Sequence, residues 1–167
     1  MSRSEEADVQ DAPAYGISQV GMVVADLETS MRRYHQMFGW GPWKIYEYRA
    51  PFLTDLKLRG EPASFTWIGA DARAGDTWIE LLQPLGDENP LSEWLAANGD
   101  GVHHLGYEVP DVETAQRLHR SFEQQGLSEL LSAFCGGMYF YFMDATPLVI
   151  EVWAGSAEAL TPARTYP

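Results

Sequence analysis

Four polar residues stand at matched places in two similar segments of the chain. Gln19 and His104 lie 85 residues apart in apolar, strand-like segments, and Glu80 and Glu151 each stand between two aliphatic residues. A carboxylate in such surroundings is unfavourable unless it faces a polar partner or a cation. Two carboxylates, one imidazole and one amide oxygen directed at one point would form a suitable site for a divalent transition metal.

A metal held by these four side chains would keep one or two positions for water or substrate and could polarise a carbonyl oxygen. Glu80 and Glu151 are then candidate catalytic bases for the carbon next to that carbonyl. The residues therefore predict metal-dependent proton transfer, as in an isomerase, an epimerase or a lyase. A one-residue shift of either strand would instead place its carboxylate in solvent, and from the residues alone this alternative stays open.

The matched positions belong to an internal repeat. Residues 19–29 align without a gap on residues 104–114, with five identities in eleven. The identical pairs are Gly21 and Gly106, Val24 and Val109, Asp26 and Asp111, Glu28 and Glu113, and Thr29 and Thr114. Each block reads as an alternating apolar strand that ends at an aspartate, followed by helical periodicity. Aspartate is a favourable N-cap, so each block predicts a strand followed by a helix.

The helices are predicted over residues 27–38 and 112–125, each ended by a glycine. Three strand-like segments follow each helix, over 43–49, 63–69 and 77–83 in the first half and over 127–133, 138–144 and 147–153 in the second. The predicted fold class is therefore α+β. Two paired βαβββ modules would form a curved mixed sheet around a central cup.

These patterns divide the chain into five segments. Residues 1–14 are predicted to be a disordered acidic tail, 15–84 the first module, 85–100 a linker with a short helix over 91–97, 101–155 the second module and 156–167 a C-terminal tail. Strand alternation predicts that His103 points away from its neighbour His104 and has a structural role.

Aromatic side chains at alternate strand positions are candidates for the lining of the cup. The predicted substrate-binding residues are Trp43, Phe65, Trp67, Trp78, Tyr139, Tyr141 and Trp153. If they face the cup, the substrate is a small molecule with an apolar part. The alternative is that they form ordinary core packing.

Composition excludes several classes of partner. The net charge is −13, from 24 acidic and 11 basic residues, which opposes nucleic-acid binding. No apolar run approaches the roughly 20 residues of a membrane span, and the polar N-terminus does not resemble a signal peptide. Cys135 is the only cysteine, so no disulfide forms within the chain. We therefore expect a cytoplasmic protein with no membrane partner.

The repeat blocks and the sequence Gly-Val-His-His-Leu-Gly at 101–106 resemble the vicinal oxygen chelate superfamily. It includes glyoxalase I, methylmalonyl-CoA epimerase, bleomycin-resistance proteins and extradiol dioxygenases. The resemblance covers about residues 17–155, and the segments 79–84 and 86–91 are similar to the epimerase subfamily. Metal ligands in this superfamily come from the first and last strands of each module. By position, the resemblance implies Gln19, Glu80, His104 and Glu151 as ligands of one divalent metal: Zn, Ni, Co, Mn or Fe.

The implied ligand set distinguishes the subfamilies. Gln, Glu, His and Glu resemble the set of some glyoxalase I enzymes. They depart from the epimerase pattern, which has His first and Gln second, and from the extradiol dioxygenases, which need two histidines and one carboxylate. The resemblance thus implies a metal-dependent isomerase or epimerase, or a glyoxalase-like lyase. The alternative is a metal-free small-molecule binding or resistance protein that uses the same cup, and a ring-cleaving dioxygenase comes third. Family analogy also implies a homodimer, in which modules pair within one chain or between chains.

Overall fold

The structure is a computed structural model that describes residues 14–155 and 160–167. Most of the predicted acidic tail, residues 1–13, and residues 156–159 of the predicted C-terminal tail lie outside the described residues. The described elements are β1 Gln19–Val23, α1 Leu27–Phe38, β2 Trp43–Tyr48, β3 Leu53–Leu58, β4 Glu61–Pro62, β5 Thr66–Ala74, β6 Thr77–Leu85, α2 Pro90–Asn98, β7 Gly101–Val109, α3 Val112–Gln124, β8 Ser128–Cys135, β9 Met138–Ala145, β10 Leu148–Ala154 and β11 Arg164–Tyr166.

The two repeated helices begin where the aspartates predict. The Asp26 carboxylate accepts a hydrogen bond of 2.8 Å from the Thr29 backbone N–H, and Asp111 accepts one of 2.7 Å from Thr114. These bonds satisfy backbone donors that the first helical turn leaves free. Helix α1 ends at Gly39, whose φ of 70° lies in the left-handed region that glycine tolerates.

The described strands form one sheet in the order β11-β2-β5-β6-β1-β7-β10-β9-β8-β3-β4. The two modules meet at its centre, where β1 and β7 pair antiparallel. Each of these strands has the last strand of its own module as its other, parallel neighbour: β6 for β1 and β10 for β7. The predicted fold class, two paired βαβββ modules in a curved mixed sheet, is confirmed.

The sheet is strongly curled, as the connection from β2 to β3 demonstrates. Along the sheet these strands are eight places apart, which would be about 38 Å if the sheet were flat. The chain joins Tyr48 to Leu53 in five residue steps, which reach at most about 18 Å. The two ends of the sheet must therefore approach each other, and the concave face becomes an enclosed cup.

Three apolar cores follow from this architecture. One fills the cup and includes Trp67, Phe140 and Phe142. The second lies between the sheet and α1, and the third lies between the sheet and α3. Among the described helices, none has the length and apolar character needed to cross a membrane.

Candidate metal centre

Three buried side chains converge in the cup. The Nε2 atom of His104 lies 3.2 Å from Oε2 of Glu80 and 3.2 Å from Oε2 of Glu151. One ligand atom from each residue lies within 4.8 Å of the other two. Only 6% of Glu80, 1% of His104 and 6% of Glu151 is exposed, so water does not satisfy these groups. The first module contributes one carboxylate, and the second contributes the imidazole and the other carboxylate.

The converging atoms form a buried cluster in which two carboxylates face one imidazole nitrogen. Nε2 of an imidazole carries at most one hydrogen, so it cannot donate a full hydrogen bond to both carboxylates. Two buried carboxylates on one imidazole nitrogen therefore require a further positive partner. Two carboxylate oxygens and one imidazole nitrogen suit a divalent transition metal. The residues present therefore fit the metal that the sequence predicts.

Two glycines of the repeat make room for this cluster. Gly21 pairs with His104 across the central strands, and a Cβ atom on Gly21 would lie 1.9 Å from Cε1 of the imidazole. At the equivalent place, Gly106 pairs with Gln19, and a Cβ atom there would lie 2.9 Å from the Cβ atom of Gln19. The repeated glycine thus lets each of the two central strands accept a large polar side chain from the other.

Gln19 lines the same cavity as Glu80 and Glu151. The space in this cavity that a water-sized group can occupy is about 30 Å³. Three of the aromatic residues predicted to bind substrate, Trp67, Trp78 and Trp153, are in its wall.

Four other aromatic residues that were predicted to bind substrate, Trp43, Phe65, Tyr139 and Tyr141, do not line this cavity. Trp43 is fully buried in the core against α1. Tyr139 and Tyr141 lie in the core against α3, where the Tyr141 hydroxyl donates a hydrogen bond of 3.1 Å to the Ala115 carbonyl. Tyr139 and Tyr141 point away from the cup, because strand alternation places Phe140, which lies between them, on the cup face. Phe65 lines a separate pocket beside α2.

Burial and the mutual proximity of these groups shift their pKa values. Burial alone would lower the pKa of His104, but the adjacent Glu151 and Glu80 outweigh it and raise the pKa to about 9. Burial raises the pKa of Glu151 to about 7, against the lowering effect of His104.

Asp71 is a further acidic group in the cavity that the sequence analysis missed. It pairs with Glu80 across β5 and β6, and its Oδ1 atom is buried without a hydrogen-bond partner. Burial, followed by the charges of Glu80 and Glu151, raises the pKa of Asp71 well above its usual value. The predicted strand ended at residue 69, whereas β5 continues to Ala74, so strand alternation was not extended to Asp71.

His103 also differs from its predicted position. The β1–β7 register shifts so that Gly21 pairs with His104 but Met22 pairs with Val102, which leaves His103 as the extra residue of a bulge. A bulge interrupts strand alternation. The Nδ1 atoms of His103 and His104 lie 3.0 Å apart, at hydrogen-bonding distance.

Comparisons with known proteins agree with this architecture. A family model described as the Glyoxalase/Bleomycin resistance protein/Dioxygenase superfamily matches residues 18–155. The ethylmalonyl-CoA/methylmalonyl-CoA epimerase of Cereibacter sphaeroides is 32% identical over 101 residues, which are 60% of this chain and 65% of that protein. The mitochondrial methylmalonyl-CoA epimerase of Dictyostelium discoideum is 27% identical over 100 residues, 59% of this chain and 52% of that protein. The matches thus span less than two thirds of these relatives.

Solved structures show the same fold. The methylmalonyl-CoA epimerase of Mycobacterium tuberculosis superimposes with a TM-score of 0.61 at 19% identity, covering 86% of this chain and 89% of that one. A Streptomyces coelicolor methylmalonyl-CoA epimerase variant in complex with 2-nitronate-propionyl-CoA gives a TM-score of 0.60 at 19% identity, covering 86% and 96%. At such identities the likeness describes the fold.

Proposed function

Because this chain belongs to the glyoxalase/bleomycin resistance protein/dioxygenase superfamily, we propose that it is a metal-dependent epimerase. Its substrate would be an acyl-CoA thioester with a carboxylate on the carbon next to the thioester carbonyl, such as methylmalonyl-CoA. The names of the two curated relatives support this substrate class. The single observation that carries the proposal is the convergence of two buried carboxylates and one buried imidazole nitrogen in the cup.

Glu80, His104 and Glu151 would hold the metal, with Gln19 as the fourth donor from the same cavity. A divalent metal supplies positive charge that stabilises the negative charge developing on substrate oxygens when the neighbouring carbon loses its proton. The chain itself supplies the groups that move that proton.

Epimerisation needs one group to remove a proton from the substrate carbon and another to return a proton on the opposite side. Glu80 on β6 and Glu151 on β10 flank the central β1–β7 pair on its two sides, which suits this division. We assign Glu151 as the first base and Glu80 as the second, because both carboxylates lie in the wall of the cavity. Asp71 stands opposite Glu80 in the same cavity, where burial and the charges of Glu80 and Glu151 raise its pKa.

The cavity wall supports a substrate whose reacting part is small and partly apolar. Trp67, Phe140 and Trp153 are all almost fully buried around the carboxylates. Such walls exclude water, which strengthens the electrostatic interactions inside the site and protects a carbanionic intermediate from unselective protonation.

Proton exchange at the substrate carbon tests this function. Metal-loaded protein is incubated with methylmalonyl-CoA in D₂O, and loss of the proton signal at carbon 2 is followed by NMR. We expect catalysed exchange in the wild type and a rate about 100-fold lower or more in Glu151→Gln. Glu47→Gln is the matched control, because Glu47 is exposed on β2 and pairs with Arg49 outside this cavity. Absence of exchange with the loaded wild type would contradict the proposal.

The aromatic wall also suits the alternative of a metal-free binding or resistance protein. That alternative gives no role to the two buried carboxylates that converge on one imidazole, and it predicts ligand binding without proton exchange. A ring-cleaving dioxygenase would need a second imidazole ligand. Within the described residues, the cluster that could hold a metal contains one.

A further inference from the structure

We propose that His103 is a positioning residue for His104. It accepts a hydrogen bond from Nδ1 of His104 and so keeps Nε2 of that ring free for the metal. The inference rests on the metal site of the proposed function but not on the identity of the substrate.

The backbone creates this contact. His103 is the extra residue of the bulge in β7, since the residues on either side of it pair with consecutive residues of β1, Gly21 and Met22. In a regular strand, neighbouring side chains point to opposite faces, and two consecutive imidazoles would be far apart. The bulge instead brings the two Nδ1 atoms to 3.0 Å.

The chemistry of imidazole decides the direction of the hydrogen bond. Two ring nitrogens at this distance share one hydrogen, so one ring donates and the other accepts. A histidine that binds a metal through Nε2 carries its hydrogen on Nδ1. His104 must therefore donate, and His103 must accept through Nδ1 and carry its own hydrogen on Nε2.

Two aromatic rings hold His103 in place. The Trp94 ring of α2 contacts it edge to face, with centroids 5.3 Å apart and planes at 82°. Phe142 of β9 contacts it at 5.7 Å and 76°, and also contacts His104 at 4.7 Å. The orientation of His103 is thus set by a helix and a strand outside the ligand set. Partners of this kind orient metal-bound histidines and raise metal affinity.

Metal affinity distinguishes a His103 that accepts a hydrogen bond from His104 from a His103 that only packs against it. Zinc affinity is measured by competition with a fluorescent chelator in the wild type, in His103→Phe, which keeps a ring but removes the acceptor, and in His103→Gln, which restores an acceptor. We expect His103→Phe to bind zinc about 10- to 100-fold more weakly than the wild type. His103→Gln should recover part of that loss. His35→Gln is the control, because His35 lies on α1 and its Nδ1 contacts the Trp40 carbonyl. Wild-type affinity in His103→Phe would overturn the proposal.

A second measurement needs no variant. Long-range ¹H–¹⁵N spectra of the zinc-loaded wild type should show hydrogen on Nδ1 of His104 and on Nε2 of His103. Hydrogen on Nδ1 of His103 would overturn the inference. Failure of the proposed function is a separate result, because it appears as zinc-loaded protein that catalyses no proton exchange while the affinity difference between the variants persists.

Discussion

At the residue scale, the site depends on two glycines, which leave room for large side chains, as much as on its polar residues. The sequence predicted a polar quartet from repeat symmetry, and in the structure Glu80, His104 and Glu151 converge while Gln19 lines the same cavity. The equivalent glycines Gly21 and Gly106 were visible as identities of the repeat. Their purpose could not be read from the sequence, because it depends on which residue stands opposite on the paired strand.

Replacement of Gly21 by alanine should therefore disrupt the metal site. The new Cβ atom would lie 1.9 Å from Cε1 of the His104 ring, so the metal-binding imidazole would have to move. We expect a loss of about 1 to 3 kcal/mol in the free energy of unfolding and at least a tenfold loss in zinc affinity. Urea denaturation and chelator competition measure the two effects.

Gly16→Ala is the matched control, because a Cβ atom at Gly16 meets nothing within 4 Å. Equal effects of the two substitutions, or unchanged zinc affinity in Gly21→Ala, would contradict the steric account.

At the scale of elements, the repeated βαβββ units were predictable, while the added strands were not. The strands and helices of each module follow from periodicity and capping aspartates in the chain itself. The hairpin of β3 and β4 contains charged residues and an irregular register between Thr54 and Lys57, so it lacks clear alternation. Its strand structure comes from pairing with β8, and β11 similarly depends on pairing with β2. Long-range pairing of this kind leaves little signal in local sequence.

The hairpin is also fixed by Glu129 of β8. One carboxylate oxygen accepts a hydrogen bond of 3.0 Å from the Gly60 backbone N–H, and the other lies 3.1 Å from Nε2 of His119. Partial burial would raise the pKa of Glu129, but the contacts with His119 and Gly60 outweigh it and lower the pKa below the usual 4.5.

A lowered pKa in the folded state means that the ionised Glu129 stabilises the fold above the unfolded pKa and that this stabilisation disappears as the pH falls through the folded pKa. We expect the wild type to be more stable than Glu129→Gln at pH 7. The difference should shrink as the pH is lowered below about 4.5. Urea denaturation of both proteins from pH 7 to pH 3 checks this, and a difference that grows on acidification would contradict it.

At the scale of the whole molecule, the membership of the superfamily and the curved sheet were predicted and are confirmed. The closure of the cup was not predicted. The hairpin from the first module covers the edge of the second, and β11 from the chain's end covers the edge of the first. Leu160, which precedes β11, is buried in the cup core and lines the cavity. The enclosed site is thus a product of tertiary pairing between distant segments.

Replacement of Leu160 by alanine tests how much the segment before β11 contributes to the core of the cup. Leu160→Ala removes a side chain that is 7% exposed, and we expect a loss of about 2 to 3 kcal/mol in the free energy of unfolding. Ile17→Ala, at a residue that is 51% exposed, should change it by less than about 0.5 kcal/mol. Chemical denaturation distinguishes them, and a Leu160→Ala protein as stable as the wild type would show that the segment does not contribute to the core.

The central claim is that Gln19, Glu80, His104 and Glu151 hold one divalent metal, and its most direct test is metal content. Protein purified without a histidine tag is analysed by plasma mass spectrometry beside Glu151→Ala and the exposed control Glu47→Ala. We predict about one equivalent of a transition metal per chain in the wild type and in the control, and loss of that metal in Glu151→Ala. A wild type that binds no metal after incubation with excess zinc, nickel, cobalt, manganese or iron would contradict the account.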